Sequence, residues 1–180
     1  SPSPVKIHVD IDAANATVEE FEQNIQNRVF HLSFLFANSL AGSIIGVKGS
    51  TIVKIQKETK AKVKLSQVHE VYPGTNDRIV LYRGRIFEII YALALSIEKI
   101  VEEHSNILMP QKKLVLKMIV PSVSVGALIG IGGETVRNIV KIAGCKVKIS
   151  PKETVIPYLS ERIIQIMGNP SQCLVAIALL

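Results

Sequence analysis

Apolar and polar residues change their spacing several times along the first half of the chain, and each change marks a predicted element. Residues 29–36 alternate partly between apolar and polar side chains, as expected for a strand with one buried face. Two short helical segments follow around a glycine-rich stretch. Residues 61–66 then alternate lysine with apolar side chains, which predicts a half-buried strand. A third predicted strand, residues 78–83, ends at Gly84, and residues 85–103 repeat apolar side chains at the spacing of a long helix.

The second half repeats this order of spacings. Its predicted elements are a strand at residues 114–120, helices at 122–129 and 134–143, strands at 146–149 and 162–167, and a last helix that opens at Pro170. By comparison with the long helix of the first half, this last helix is expected to extend past Leu180, so that the sequence ends inside it.

A short phrase that occurs twice indicates that the two halves are copies. The residues Ile-Ile-Gly-Val-Lys-Gly at 44–49 recur as Leu-Ile-Gly-Ile-Gly-Gly at 128–133, an offset of 84 positions. The same offset, without gaps, aligns Gly42 with Gly126, Thr51 with Thr135, Ile55 with Ile139, residues 62–64 with 146–148, Ser66 with Ser150, Arg78 with Arg162, and Gly84 with Gly168. One register over this length predicts two copies of a single domain.

These observations divide the chain into four segments. We predict an acidic leader at residues 1–27, a first domain at 28–103, a linker at 104–112 and a second domain at 113–180. Each domain has the order β-α-α-β-β-α. Three helices on one side cannot cover both faces of a three-stranded sheet. The expected class is therefore α+β, with a three-stranded antiparallel sheet and three helices on one face in each domain.

Composition and charge narrow the range of partners. Apolar residues make up 48% of the chain and aromatic residues 5%, which describes aliphatic α/β cores rather than a disordered chain. The net charge of +6 is uneven: residues 1–27 hold one base and five acids, 28–103 eleven bases and seven acids, and 104–180 nine bases and three acids. Two basic domains favour polyanions, but charge alone does not separate nucleic acid from a membrane surface.

Several classes of function are disfavoured by the sequence. The most apolar helical stretch is too short to span a bilayer, and acidic residues interrupt the leader where a signal peptide needs an apolar core. We therefore expect no membrane partner and a location in the nucleus, the cytoplasm or both. Cys145 and Cys173 lack metal-ligand spacing and are interpreted as buried apolar side chains. The histidines are scattered without an acid–base pair, so neither catalysis nor a metal or cofactor is expected.

The repeated glycine loop has features that suit the binding of a phosphate backbone. A tight turn between two helices exposes backbone N–H groups at the start of the second helix, where an anion is stabilised. Glycines allow a phosphate backbone to approach closely because no Cβ stands in the way, and Lys48 adds a positive charge. A single Gly-x-x-Gly is more often a helix end than a binding site. Two of them in one long register make a binding surface the stronger interpretation.

Both copies resemble type I KH domains, a family that binds single-stranded nucleic acid. The resemblance covers residues 28–180 and rests on the two glycine loops together with Ile45, Ile52, Ala61, Val63 and Arg78. The first copy is most similar to Nova-type splicing regulators, through residues 51–66 and the Tyr-Pro-Gly-Thr at 72–75. The second copy is more generic and is equally similar to poly(C)-binding proteins.

The resemblance implies an RNA-binding groove in each domain. In the first domain the implied residues are Ala41, Gly42, Ser43, Gly46, Val47, Lys48, Gly49, Ile52, Gln56, Val63, Leu65 and Arg78. In the second domain they are Val125, Gly126, Ala127, Gly130, Ile131, Gly132, Gly133, Val136, Val140, Val147, Ile149 and Arg162. In such relatives the loop holds phosphates, the apolar residues form a floor under the bases, and the arginine reads a base edge.

Some of these residues have structural alternatives. Ile52, Val63 and Leu65 are equally expected as core residues, because groove floor and core are continuous. Arg78 has the alternative of a solvated strand end, although Arg162 repeats it at the matching position.

The second copy departs from the family pattern in its loop and its second helix. Gly132 stands where the first loop has Lys48, and Val140 replaces Gln56. These changes put phosphate binding and base selectivity by the second domain in question. Arg137, one helical turn beyond the loop, is a candidate to compensate for the missing charge.

The resemblance implies a sequence-selective single-stranded RNA-binding protein that regulates pre-mRNA splicing or another mRNA-processing step through C/A-containing, pyrimidine-rich motifs. Three alternatives stay open: a regulator of mRNA stability or translation, a single-stranded DNA-binding protein, and a scaffold whose second domain contacts protein. We also expect the two domains to pack on each other within the chain, with a homodimer as the alternative.

Overall fold

The computed structural model describes residues 20, 22–108, 113–151 and 159–180, so most of the acidic leader lies outside the described residues. The first repeat contains β1 (Phe30–Ala37), α1 (Asn38–Ile45), α2 (Ser50–Thr59), β2 (Lys62–Leu65), β3 (Asp77–Gly84) and α3 (Ile86–Leu108). The second contains β4 (Leu114–Pro121), α4 (Ser122–Ile129), α5 (Glu134–Ala143), β5 (Lys146–Ile149), β6 (Glu161–Gly168) and α6 (Pro170–Leu179). The predicted order of elements is confirmed in both repeats.

Each repeat forms a three-stranded antiparallel sheet, as predicted, and the two sheets join into one. The strand order is β2-β3-β1-β4-β6-β5, so that β1 pairs with β3 inside its own repeat and with β4 of the other. At this junction Phe34 lies opposite Met118 and Leu35 opposite Lys117. Lys117 Nζ also lies 2.7 Å from Asp77 Oδ2, an ion pair between the repeats. The short strands β2 and β5 form the two outer edges.

The core lies between the sheet and the helices and continues across both repeats. Alternate residues of the strands point into it, which is why the half-buried strand pattern appears in the sequence. Phe34 packs edge-on against Tyr82, with ring centroids 5.8 Å apart. The buried Tyr82 hydroxyl donates to Ser96 Oγ at 2.9 Å, and this hydroxyl donates in turn to the Ala92 carbonyl at 2.8 Å. Burial raises the pKa of Tyr82, so its hydroxyl stays a donor.

Helix α3 runs beyond the end that we predicted. The sequence pattern predicts an end near residue 103, whereas α3 continues to Leu108 with a local departure from helical geometry at His104 (φ −124°, ψ 17°). His104 Nε2 and Ser43 Oγ form a hydrogen bond of 2.9 Å, which anchors this part of α3 to α1. The segment predicted as a linker therefore begins inside a helix.

The two cysteines are buried, as predicted. Burial raises the pKa of Cys145 above its ordinary value and that of Cys173 to about 11, so both thiols stay protonated at neutral pH. Within the described ranges, no group of three or more His, Cys, Asp or Glu side chains could hold a metal ion. None of the described helices has the length and apolar character needed to cross a bilayer.

Candidate nucleic-acid interface

The first glycine of each loop turns the chain between two helices in a conformation that only glycine adopts easily. Gly46 has φ 71° and ψ 179°, and Gly130 has φ 75° and ψ 175°. A Cβ at Gly46 would lie 2.1 Å from Thr51 Oγ1, and one at Gly130 would lie 2.2 Å from Thr135 Oγ1. Backbone strain and steric contact therefore both require glycine at this point, and the two loops have the same backbone shape.

The tips of the two loops differ in charge although they share their geometry. Lys48 has φ 52° and the matching Gly132 has φ 58°, both in the left-handed region. A non-glycine residue pays on the order of 1 kcal/mol for this conformation. Val47 and Ile131, just before them, are 80% and 94% exposed. Each tip therefore projects into solvent, the first with an ammonium group and the second without one.

The predicted groove residues separate into buried and open positions. The side chains of Ala41, Ser43, Val63 and Val125 lie in the core. Half-buried positions, which combine packing on the core with an open surface, are occupied by Ile52, Gln56, Leu65, Val136, Val140, Val147 and Ile149. The exposed backbone positions before the loops are Gly42, Gly126 and Ala127. The core alternative therefore applies to Val63, whereas Ile52 and Leu65 keep an accessible face.

Arg78 on β3 and Arg162 on β6 are held in the same way by the serine that follows the neighbouring edge strand. Arg78 Nε donates to the Ser66 carbonyl at 3.0 Å, and its Nη2 donates to the same oxygen. Arg162 Nε donates to the Ser150 carbonyl at 2.8 Å, again with Nη2 on the same oxygen. Arg78 is only 6% exposed, so its alternative interpretation as a solvated strand end was wrong. Several of the five guanidinium N–H groups remain unused by these bonds.

Sequence reasoning did not identify the partners of these arginines. Ser66 and Ser150 also accept, through Oγ, the backbone N–H of the residue after each arginine, at 3.0 Å. The sequence did contain a signal for these partners, because Ser66 and Ser150 occupy matching positions in the two repeats. Asn38 Oδ1 accepts a longer bond of 3.4 Å from Arg78 Nη1. Ser122 occupies the corresponding place in the second repeat, and its buried Oγ has no partner among the described residues.

A family model described as KH domain matches residues 31–98 and 115–180, which together are more than half of the chain. The chain belongs to the KH-domain family. It contains two KH domains in tandem, in agreement with the resemblance noted in the sequence. Membership also supports the interpretation of the chain as a binding protein rather than an enzyme.

Several proteins are similar to this chain over most of its length. RNA-binding protein Nova-2 of Homo sapiens is 37% identical over 157 residues, covering 79% of this chain and 32% of Nova-2. RNA-binding protein Pasilla of Drosophila melanogaster is 35% identical over 150 residues, covering 78% of this chain and 19% of Pasilla. PAB1-binding protein 2 of Saccharomyces cerevisiae is 28% identical over 162 residues, covering 89% and 38%. The chain thus spans well under half the length of these relatives.

The two KH domains also differ beside their edge strands. Gln56 Oε1 accepts the backbone N–H of Val63 at 3.0 Å, which ties α2 to the outer edge of β2. Val140 at the matching position has no acceptor, so this bond is absent from the second KH domain. Gln56, one of the implied groove residues, is therefore a structural brace of the first groove.

Proposed function

We propose that this chain binds single-stranded RNA sequence-selectively through its two KH grooves and acts in pre-mRNA splicing or another mRNA-processing step. The observation that carries the proposal is the repeated combination of a Gly-only loop turn with an arginine fixed on a serine carbonyl at the groove end. Two similar relatives, Nova-2 and Pasilla, are named RNA-binding proteins, which supports the same conclusion.

The geometry of each part of the groove supports a proposed role for it. The exposed loop, with its unhindered backbone, holds consecutive phosphates, and Lys48 adds a Coulombic contact in the first domain. The half-buried aliphatic positions form a floor against which unstacked bases pack. Arg78 and Arg162 read base edges with the N–H groups that their serine carbonyls leave free. Because each guanidinium is already oriented by Ser66 or Ser150, little side-chain entropy is lost when a base binds.

The proposed RNA target is an unpaired, C/A-containing, pyrimidine-rich motif. In vitro selection from a random RNA pool is expected to enrich such motifs, and competition should rank a C/A-rich strand above poly(U) and above duplex RNA. Equal binding of poly(U) or duplex would contradict the proposed selectivity. A DNA strand of the selected sequence, titrated in parallel, tests the single-stranded DNA alternative.

A second candidate function concerns the second KH domain alone. The tip of its loop carries no charged side chain, and Ile131 there is 94% exposed, so the loop itself offers a phosphate no ionic contact. In this scaffold alternative the second domain contributes nothing to RNA affinity. Titration of the full chain with RNA after inactivation of the first loop distinguishes the two functions, because a scaffold would then bind no RNA.

Arg78→Ala is expected to reduce affinity for the preferred RNA by about 1–3 kcal/mol and to relax base choice at one position. Binding should be measured on RNAs that differ at single positions, at a temperature where thermal unfolding shows the variant to be folded, since Arg78 also braces Ser66. Arg78→Lys keeps the positive charge but lacks the planar guanidinium with its paired N–H donors. This variant should therefore lose the same base selectivity as Arg78→Ala. Lys48→Ala, by contrast, should weaken all sequences alike. Uniform weakening by Arg78→Ala would contradict a base-reading role.

A further inference from the structure

Arg137 lies on the first turns of α5, and its side chain folds back onto the second glycine loop. Its Nη1 donates to the carbonyl of Gly132, the loop-tip residue, at 2.5 Å. A Cβ added to Gly133 would lie 2.9 Å from the same Nη1 atom. The guanidinium therefore lies directly against the loop, although Arg137 and Gly132 are five positions apart in the chain.

The guanidinium is available for a ligand. The Arg137 side chain is exposed, and the Gly132 bond uses one of its five N–H groups. Glu134 is the acidic residue in the first turn of α5, but no described carboxylate forms an ion pair with Arg137. One positive charge is thus held at the loop by a bond to the loop itself.

The first domain has the reverse arrangement at the same two positions. It carries Lys48 at the loop tip and Val53, which is 62% exposed, at the position that matches Arg137. The second domain carries Gly132 at the tip and Arg137 on the helix. Each loop therefore has one cation, supplied from the tip in one domain and from the following helix in the other.

The two sources of positive charge differ in the backbone strain that they require. Lys48 supplies its charge from a left-handed backbone conformation that disfavours a side chain. Glycine at position 132 adopts the same conformation without that cost, and its missing side chain leaves the carbonyl open to Arg137. A guanidinium also binds a phosphate through two N–H groups, whereas an ammonium acts as a point charge.

We propose that Arg137 is the phosphate-binding cation of the second KH domain and replaces the loop lysine of the first. The inference rests on the proposed RNA-binding function. It assigns a ligand contact to a residue outside the glycine loop, on the second helix.

The test uses the full 180-residue chain with the first loop inactivated by Val47→Asp and Lys48→Asp, so that RNA binding reports on the second domain. In this background Arg137→Val introduces the residue of the first domain. The affinity for a selected single-stranded RNA should fall about five- to tenfold, and the slope of log affinity against log salt should decrease by about 0.7, the value for one phosphate contact on a single strand. Base preference should stay unchanged, since a phosphate contact carries no sequence information.

Two further variants make the result specific. Lys141→Val removes the same charge from the exposed last turn of α5 and should change the affinity and the salt slope much less. Gly132→Lys combined with Arg137→Val rebuilds the arrangement of the first domain and should restore most of the affinity.

The outcomes separate the inference from the function on which it rests. If the inactivated background binds no RNA while the parent chain does, RNA binding by the second domain is wrong and Arg137 has no phosphate to hold. If the background binds RNA and Arg137→Val matches Lys141→Val in affinity and salt slope, the function stands and the inference is overturned.

Discussion

Replacement of Val47 and Lys48 together by aspartate is expected to weaken RNA binding by the first KH domain at least tenfold. The change removes one positive charge and places two carboxylates where the proposed phosphates lie, so that attraction becomes repulsion at contact distance, where salt screens little. Val47 is 80% exposed and Lys48 is at the loop tip, so neither substitution removes a core contact. Fluorescence anisotropy with a short C/A-rich RNA measures the loss, and thermal unfolding checks that the variant folds.

The matched substitution in the second loop, Ile131→Asp with Gly132→Asp, is expected to cause a smaller loss. It adds the same two carboxylates but removes no cation, because Arg137 is retained beside the loop. The first domain is also expected to contribute the larger share of the affinity for a single motif, because the bond from the Val63 N–H to Gln56 that braces its groove is absent from the second domain. Equal losses from the two pairs, or a larger loss from the second pair, would contradict this order.

Gly46→Ala is expected to lower the free energy of unfolding by about 3 kcal/mol and to abolish RNA binding by the first domain. The alanine would have to occupy a backbone region that is almost restricted to glycine, and its Cβ would meet Thr51 Oγ1 at 2.1 Å. Relief of this contact requires the loop to move away from the start of α2. Denaturant unfolding measures the stability, and RNA titration below the midpoint measures the binding.

Gly42→Ala is the matched control for the stability measurement. Gly42 lies within α1, where an added Cβ has no neighbour within 4 Å. Alanine at this helical position should raise the stability by about 0.5–1 kcal/mol. If both alanine variants unfolded at the same denaturant concentration, the steric argument for Gly46 would be wrong.

The sequence predicted those features that depend on residues close together in the chain. The loop turn at Gly46 and Gly130 was recognisable because a Gly-x-x-Gly between two helical segments repeats in register. Strand positions were recognisable because side chains alternate between core and solvent. Both signals are local and are strengthened by occurring twice.

Features that depend on contacts between distant segments could not be predicted in the same way. The continuation of α3 to Leu108 accompanies a hydrogen bond from His104 to Ser43 on α1, and no spacing in the sequence indicates that contact. The brace between Gln56 and the Val63 N–H needs the exact approach of α2 to an edge strand. The same holds for Arg78 on the Ser66 carbonyl, since a solvated strand end has the same sequence pattern.

If the chain binds RNA as proposed, the joining of β1 to β4 constrains the length of RNA between two bound motifs. Antiparallel pairing at this junction places β2 and β5 at opposite edges, five strand spacings or about 24 Å apart, and makes them run in opposite directions. Two motifs on one RNA can then engage both grooves only if the intervening nucleotides reverse the path of the strand. A spacer that is too short leaves one groove empty. A spacer that is too long lowers the effective concentration of the second motif at the second groove, so the affinity falls. Under the proposed RNA-binding function, the joined sheet is expected to make affinity depend on the distance between two motifs, so that RNAs carrying the same motifs at different spacings bind with different affinity.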